Sequence, residues 1–181
     1  MAAAKKKDYI ELRDRLFEQA MVKARNDFFT FLKLMVPFLI SDFKMGRHIE
    51  LIAKKLQKVE EGTIKRIMVF LPPRSSKSVI CSKLFPAWYM GRHSNHEILS
   101  VSHSDQLASD FGRAVRDIVN TDLYKQIFPE TTLRSDVRAA GKWQTNQNGV
   151  YIAAGVRSQI AGRGCHVALL DDVMSEEDTE S

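Results

Sequence analysis

The chain has 181 residues, of which 44% are hydrophobic and 27% charged, and its formal net charge is +5. That length accommodates one domain with a sizeable core, and the composition is ordinary for a globular protein. No secretory signal is visible, and the apolar stretch over residues 29–40 is interrupted by Lys33 and too short to span a bilayer.

Apolar residues recur at helical spacing over residues 8–26, at Ile10, Leu12, Leu16, Phe17, Ala20, Met21 and Ala24. Asp27 is placed to cap a second helix through Phe28, Phe31, Leu32 and Met35, which Pro37 helps to terminate. These make an N-terminal helical segment, residues 1–45. A third helix over residues 48–59 carries Leu51, Ile52 and Leu56 on one face and precedes the first strand of a sheet.

That strand is expected at Ile67, Met68, Val69, Phe70 and Leu71, a short apolar run, with a helix following over residues 78–90. Between them, Leu-Pro-Pro-Arg-Ser-Ser-Lys-Ser (Leu71 to Ser78) stands where a phosphate-binding loop would stand. Backbone N–H groups and the helix dipole at such a turn favour an anion, and a lysine in the first turn reaches the β- and γ-phosphates. Lys77 and Ser78 fill the last two places of the G-x-x-x-x-G-K-[ST] pattern, while Leu71 and Ser76 stand at its two glycines. An ordinary strand-to-helix turn with Ser76 as N-cap also accounts for the loop taken alone.

Further on, residues 97–102 read as a strand, Ser104 and Asp105 cap a helix over residues 106–120, and a shorter element over residues 122–128 ends at Pro129. On the first of these helices Arg113 and Arg116 are most simply surface charges. Alternating residues on either side of Asn148-Gly149 signal a hairpin, hence an antiparallel excursion over residues 141–154. Four apolar residues, Val167 to Leu170, then lead into Asp171 and Asp172. A buried parallel strand reads this way, and its terminal acids would lie beside the phosphate loop at the carboxyl edge of the sheet. The two motifs in this order point to a nucleoside triphosphatase. Cys81 and Cys165 have no partner at metal-ligand spacing and are expected to be buried free thiols, as suits a reducing compartment. The basic balance, with Lys5, Lys6 and Lys7 clustered, is compatible with nucleic acid without requiring it.

With these pieces in order, the chain resembles the N-terminal ATPase region of the large terminase subunit of tailed bacteriophages, the motor that packages DNA into capsids. The resemblance runs from about Phe28 to Ser181 and rests on five motifs. They are the run from Phe70 to Ser78, the run from Val101 to Ala108 with the arginine-bearing helix behind it, the segment from Tyr124 to Pro129, Ala161-Gly162-Arg163-Gly164, and Leu169 to Asp172 followed by Glu176 and Glu177. It implies an α/β fold of the P-loop NTPase (RecA-like) type: a mainly parallel sheet flanked by helices, with the N-terminal helical segment and a β-hairpin insertion. Residues 46–181 would be the ATPase domain, incomplete at its C-terminus and without the nuclease domain that follows in the family, as in a truncated or split large terminase.

By the same resemblance the cofactors are ATP and magnesium. Lys77 would neutralise the β- and γ-phosphates, the backbone of Ser75, Ser76, Lys77 and Ser78 would donate to them, and Ser78 with Asp171 would hold the metal. Asp172 stands first as catalytic carboxylate, with Glu176 and Glu177 as alternates. Arg74 resembles the family's phosphate-loop arginine, and Arg163 the arginine offered across a ring interface. His48 or Phe43 would meet the adenine. The implied partners are double-stranded DNA, the portal protein, the small terminase subunit and further copies in a ring, with no membrane, in the host cytoplasm. Ser76 replaces the family's usual glycine, so the loop must turn with a Cβ present, at a cost if its φ is positive. Two other readings stay open: a non-hydrolysing interaction fragment of a split motor, and a helicase-like ATPase acting on nucleic acid.

Overall fold

Three helices open the chain in the computed structural model, which describes residues 2–174 except 159, 161 and 163, with side chains from residue 8 onward. They are α1 (Ala2–Asn26), α2 (Phe28–Leu39) and α3 (Arg47–Glu60). Asp27 caps α2, its carboxylate accepting from the Thr30 N–H at 2.7 Å. Pro37 sits inside the last turn of α2 rather than ending it; the helix closes where the Ile40 N–H donates to Val36 O at 2.8 Å. On α3 the buried set is Ile49, Ile52, Ala53 and Leu56, and Leu51 turns outward. The i, i+3, i+4, i+7 stripe therefore starts at Ile49, not at Leu51.

Of α1 only the C-terminal end joins the core. Ala24 is fully buried and Met21 packs beside it, while Tyr9, Leu12, Leu16 and Phe17 stay exposed. The Trp88 indole N–H donates to Ala24 O at 2.9 Å, and the Arg25 guanidinium donates to Ile127 O at 2.6 Å.

The expected first strand does not form. Residues 66–72 run without helix or strand; Val69 and Leu71 pack on the core, whereas Met68 and Phe70 are 84% and 86% exposed. Burial of alternate side chains is met by packing alone, and Pro72 and Pro73, lacking N–H groups, offer a ladder no donors. The helix expected over residues 78–90 is two pieces, a π-helix (Val79–Leu84) and α4 (Phe85–Arg92).

Then follow β1 (Glu97–Ser102), α5 (Asp105–Val119), α6 (Asp122–Ile127), β2 (Leu133–Ala139), β3 (Lys142–Thr145), β4 (Val150–Gly155) and β5 (Val167–Leu170). The five strands form one sheet in the order β2-β3-β4-β1-β5. β1 pairs in parallel with β4 and β5, and β3 pairs antiparallel with both β2 and β4. This corrects the expected P-loop NTPase architecture with its mainly parallel sheet: half of the strand pairings are antiparallel, because the β2-β3-β4 meander belongs to the main sheet instead of standing apart as an insertion. The antiparallel β3-β4 pairing is the one signalled by Asn148-Gly149, and Asn148 adopts φ 67° in the connecting turn.

The sheet is covered unequally. α5 lies across β1 and β4 so closely that a Cβ on Gly112 would overlap Ala140 O, and the Trp143 indole N–H donates to Gly112 O at 3.1 Å. On the other face, the register sets Leu99 beside Ile152 and Ala168, and Val101 beside Ala154 and Leu170. A cavity of about 340 Å³ opens there, lined in part by Leu99, Ile152, Ala154 and Ile160, and Leu170 at the sheet edge is 69% exposed. One hydrophobic cluster runs from Ala24 through α2, α3 and α4 to Ile98, Tyr151 and Val167. No helix among the described residues is long and apolar enough to cross a membrane.

Candidate active site

The carboxyl ends of β1 and β5 meet the loop before the π-helix. The Asp171 N–H donates to Val101 O at 3.0 Å, and the His103 N–H donates to Asp172 O at 2.8 Å, so both acids are pinned to the end of β1. Lys77 reaches them from the loop: its Nζ lies 3.0 Å from Asp171 Oδ1 and 3.5 Å from Asp172 Oδ1. The carboxylate of Asp171 is only 7% exposed, whereas that of Asp172 is 58% exposed.

Asp171 is held on both oxygens. Ser82 Oγ donates to Oδ2 at 2.7 Å, and Lys77 Nζ takes Oδ1. Burial pushes its pKa up, but the hydrogen bonds from Ser82, Ser78 and Lys77 and the lysine charge outweigh burial and leave it below the ordinary aspartate value. The hydrogen bond to Asp171 raises the Lys77 pKa despite some burial, with the charges of Asp171 and Asp172 adding to it. Lys77 and Asp171 therefore form an ionised pair. Cys81 is a poor nucleophile beside it, since burial and the Asp171 charge push its thiol up to about 11.

Backbone strain gathers at the same place. Of the five non-glycine residues with positive φ among those described, Arg74 (61°) and Ser76 (65°) lie in the loop and Asp172 (50°) faces it. Left-handed conformations with a Cβ cost about 1–2 kcal/mol per residue, and they concentrate at sites where the surroundings over-determine the chain. Ser75 steadies the turn through Oγ, which donates to Pro72 O at 2.5 Å. The π-helix begins directly after Ser78, another local irregularity found often at functional sites.

The structure thus brings together Ser75, Ser76, Lys77, Ser78, Asp171 and Asp172. Arg74 adjoins them with its side chain exposed. His48 is exposed on the first turn of α3 and folds over Gly46; among the described residues no hydrogen bond, ion pair or ring contact joins it to the loop. Phe43 packs against the hydrophobic core. Arg163, Glu176 and Glu177 lie outside the described residues. Arg113 and Arg116 are paired on the surface of α5 with Asp110 and Asp117, each at 3.0 Å. Cys165 is exposed and Cys81 half-buried, so the expectation of two buried thiols fails for Cys165, which precedes β5 instead of lying within it.

Sequence reasoning passed over Ser82. A hydroxyl four positions after Ser78 falls on the same side of the helical turn, and that spacing was its available signal. Among the described residues no group of three or more His, Cys, Asp or Glu side chains is arranged to hold a metal ion. No protein-family model matches the chain, and neither a curated protein nor a solved structure is similar to it.

Proposed function

We propose that the chain binds ATP with magnesium at Lys77, Ser78 and Asp171 and hydrolyses it, as the energy-supplying step of a viral DNA-packaging motor of the large-terminase kind. The observation that carries the reading is the Lys77 ammonium held between Asp171 at 3.0 Å and Asp172 at 3.5 Å, on segments remote in sequence. A lysine already kept cationic by these acids can exchange them for the β- and γ-phosphates. Asp171 then retains the Ser82 hydroxyl and stays oriented.

An ionised carboxylate beside a serine hydroxyl is a hard oxygen donor set that suits magnesium, which takes one or two carboxylates together with phosphate and water. Asp171 and Ser78 would hold the ion, and its role there is to neutralise phosphate charge. Asp172, half-exposed and fixed by its main-chain bond from His103, is the carboxylate placed to orient an attacking water or accept its proton. Arg74 borders the phosphate position. A ring of copies, a trans-acting Arg163, electrostatic contact with double-stranded DNA, docking on portal and small subunit, and a place in the host cytoplasm belong to the proposal through the order of the sequence motifs.

A second reading is favoured by one observation. Ser76 and Arg74 hold left-handed backbone with a Cβ present, where glycine would turn without strain, which supports a chain that binds nucleotide or a partner without turning it over. Steady-state ATP hydrolysis with magnesium and double-stranded DNA, over a range of protein concentrations and beside Lys77→Ala and Arg163→Ala, separates the two. Turnover that rises more than linearly with concentration and vanishes in both variants supports the motor. No turnover in any sample supports the second reading, and the absence of both nucleotide binding and turnover refutes the motor.

A further inference from the structure

At the opposite pole of β1 and β5 from the acids, three histidines stack. His93 and His96 have ring centroids 4.6 Å apart and planes inclined by 9°, and His96 and His166 are 3.9 Å apart at 13°. Each comes from a different part of the fold: His93 from the C-terminus of α4, His96 from just before β1, and His166 from just before β5. The stack is tied at both ends. His93 Nε2 lies 2.7 Å from Glu60 Oε1, a carboxylate that also accepts from Arg92 Nε at 2.7 Å. At the other end the Glu97 N–H donates to His166 Nδ1 at 3.0 Å, while the His166 N–H donates to Glu97 O at 2.9 Å.

These contacts dictate how many protons the stack can hold. A proton on His93 turns its contact with Glu60 into an ion pair. A second proton cannot be placed without loss. On His166 it would occupy Nδ1, setting N–H against the Glu97 N–H and breaking the bond that opens the β5-β1 pairing. On His96 it would lie between two rings, against burial and the neighbouring imidazoles, which already lower that pKa. Of the other titratable and charged groups around the stack, Tyr89 can turn its oxygen toward a proton on His96 but brings no charge to balance it. The Tyr89 hydroxyl sits 2.9 Å from His96 Nδ1, and burial and Glu60 raise its pKa; Arg92 is cationic; Glu97 lies beside Cys165 at the start of the strands, and burial followed by the Glu97 charge raises that thiol.

We propose that the His93, His96 and His166 stack is a pH-sensitive latch: it holds the start of β5 on β1 while at most one ring is protonated, and releases it when a second ring takes a proton. Among the described residues β5 is a four-residue edge strand paired on one side, so its first rung carries a large share of its attachment. Release at this end loosens the strand whose far end carries Asp171. The latch stands independently of the nucleotide reading, because its evidence and its test concern the strand alone.

The test is amide hydrogen exchange of Val167, Ala168, Leu169 and Leu170 in the full chain, corrected for intrinsic chemistry, between about pH 7.5 and about pH 5.5. Protection should fall roughly tenfold on acidification, as the loss of one hydrogen bond and the gain of one repulsion require, while the β4 amides hold theirs. His166→Asn places a non-titrating oxygen near the former Nδ1 position, and its β5 protection should become independent of pH. Unchanged protection of wild-type β5 over this range, or the same decline in His166→Asn, overturns the proposal. Loss of Mg-ATP binding is not used as a readout, so failure of the nucleotide reading leaves the outcome interpretable.

Discussion

Ser76→Gly should stabilise the protein although it removes a side chain. Ser76 holds φ 65°, where a Cβ meets the neighbouring carbonyl at a cost of about 1–2 kcal/mol that glycine does not incur. Glycine also makes the unfolded chain more mobile, which offsets about 0.5–1 kcal/mol. The net gain is therefore about 0.5–1 kcal/mol. Ser75→Gly is the matched control: Ser75 is not among the residues with positive φ, and its Oγ bond to Pro72 O would be lost. Glycine there should destabilise by about 1–2 kcal/mol, from the hydrogen bond and the unfolded-state entropy together. Urea titration followed by the fluorescence of the buried Trp88 and Trp143 reads both variants, and for a chain of this size their midpoints should separate by roughly 1 M. If the two substitutions lowered the midpoint equally, the argument that strain is stored at Ser76 would fail.

Lys77→Ala leaves the nearly buried Asp171 carboxylate with the Ser82 hydroxyl and no cation, and should cost about 1–2 kcal/mol in the same titration as well as Mg-ATP binding measured by calorimetry. Ser82→Ala should cost about 1 kcal/mol and raise the Asp171 pKa, visible in the carboxyl carbon chemical shift on acidification. The pH dependence has two limbs. The depressed Asp171 contributes stability that is full above its ordinary 3.8 and is lost as pH falls through its lower folded value; the raised Lys77 contributes stability that is full below 10.5 and is lost as pH rises through its higher folded value. Asp171→Asn should flatten the acid limb of an unfolding series, and an unchanged limb would show that other carboxylates set it. Gly112→Ala sets a Cβ against Ala140 O at the α5-sheet contact and should destabilise by about 3 kcal/mol or prevent folding, as thermal melts would report.

The sequence was most legible where the pattern and its physical partner lie close together. Asp27 and Ser104 cap their helices by accepting from N–H groups three residues on, and Asn148-Gly149 turns a chain whose two strands flank it. That Lys77 would meet Asp171 and Asp172 was legible because acids at the carboxyl end of a strand fall beside a loop that enters a helix at the same edge. What failed was non-local. The apolar run at Ile67 to Leu71 indicates that side chains seek burial, and it does not indicate that a neighbouring strand supplies hydrogen bonds; Val69 and Leu71 pack on the core without one. The meander joined the parallel strands through β4, a pairing choice that no residue in residues 141–154 announces. Ser82 and the histidine stack depend on side chains meeting across long intervals, and in one dimension they are merely a serine on a helix and three scattered imidazoles.

The attachment of α1 has a mechanical consequence. Met21, Ala24, Arg25 and Asn26 anchor its C-terminal end, and Tyr9 stands fifteen residues before Ala24, about 22 Å along the helix axis. Tilting the helix by about 10° at that fulcrum carries Tyr9 through about 4 Å. A rotation small enough to leave the Trp88 bond to Ala24 in place therefore becomes a side-chain-sized displacement at the far end: the helix works as a lever whose short arm is clamped beside α4.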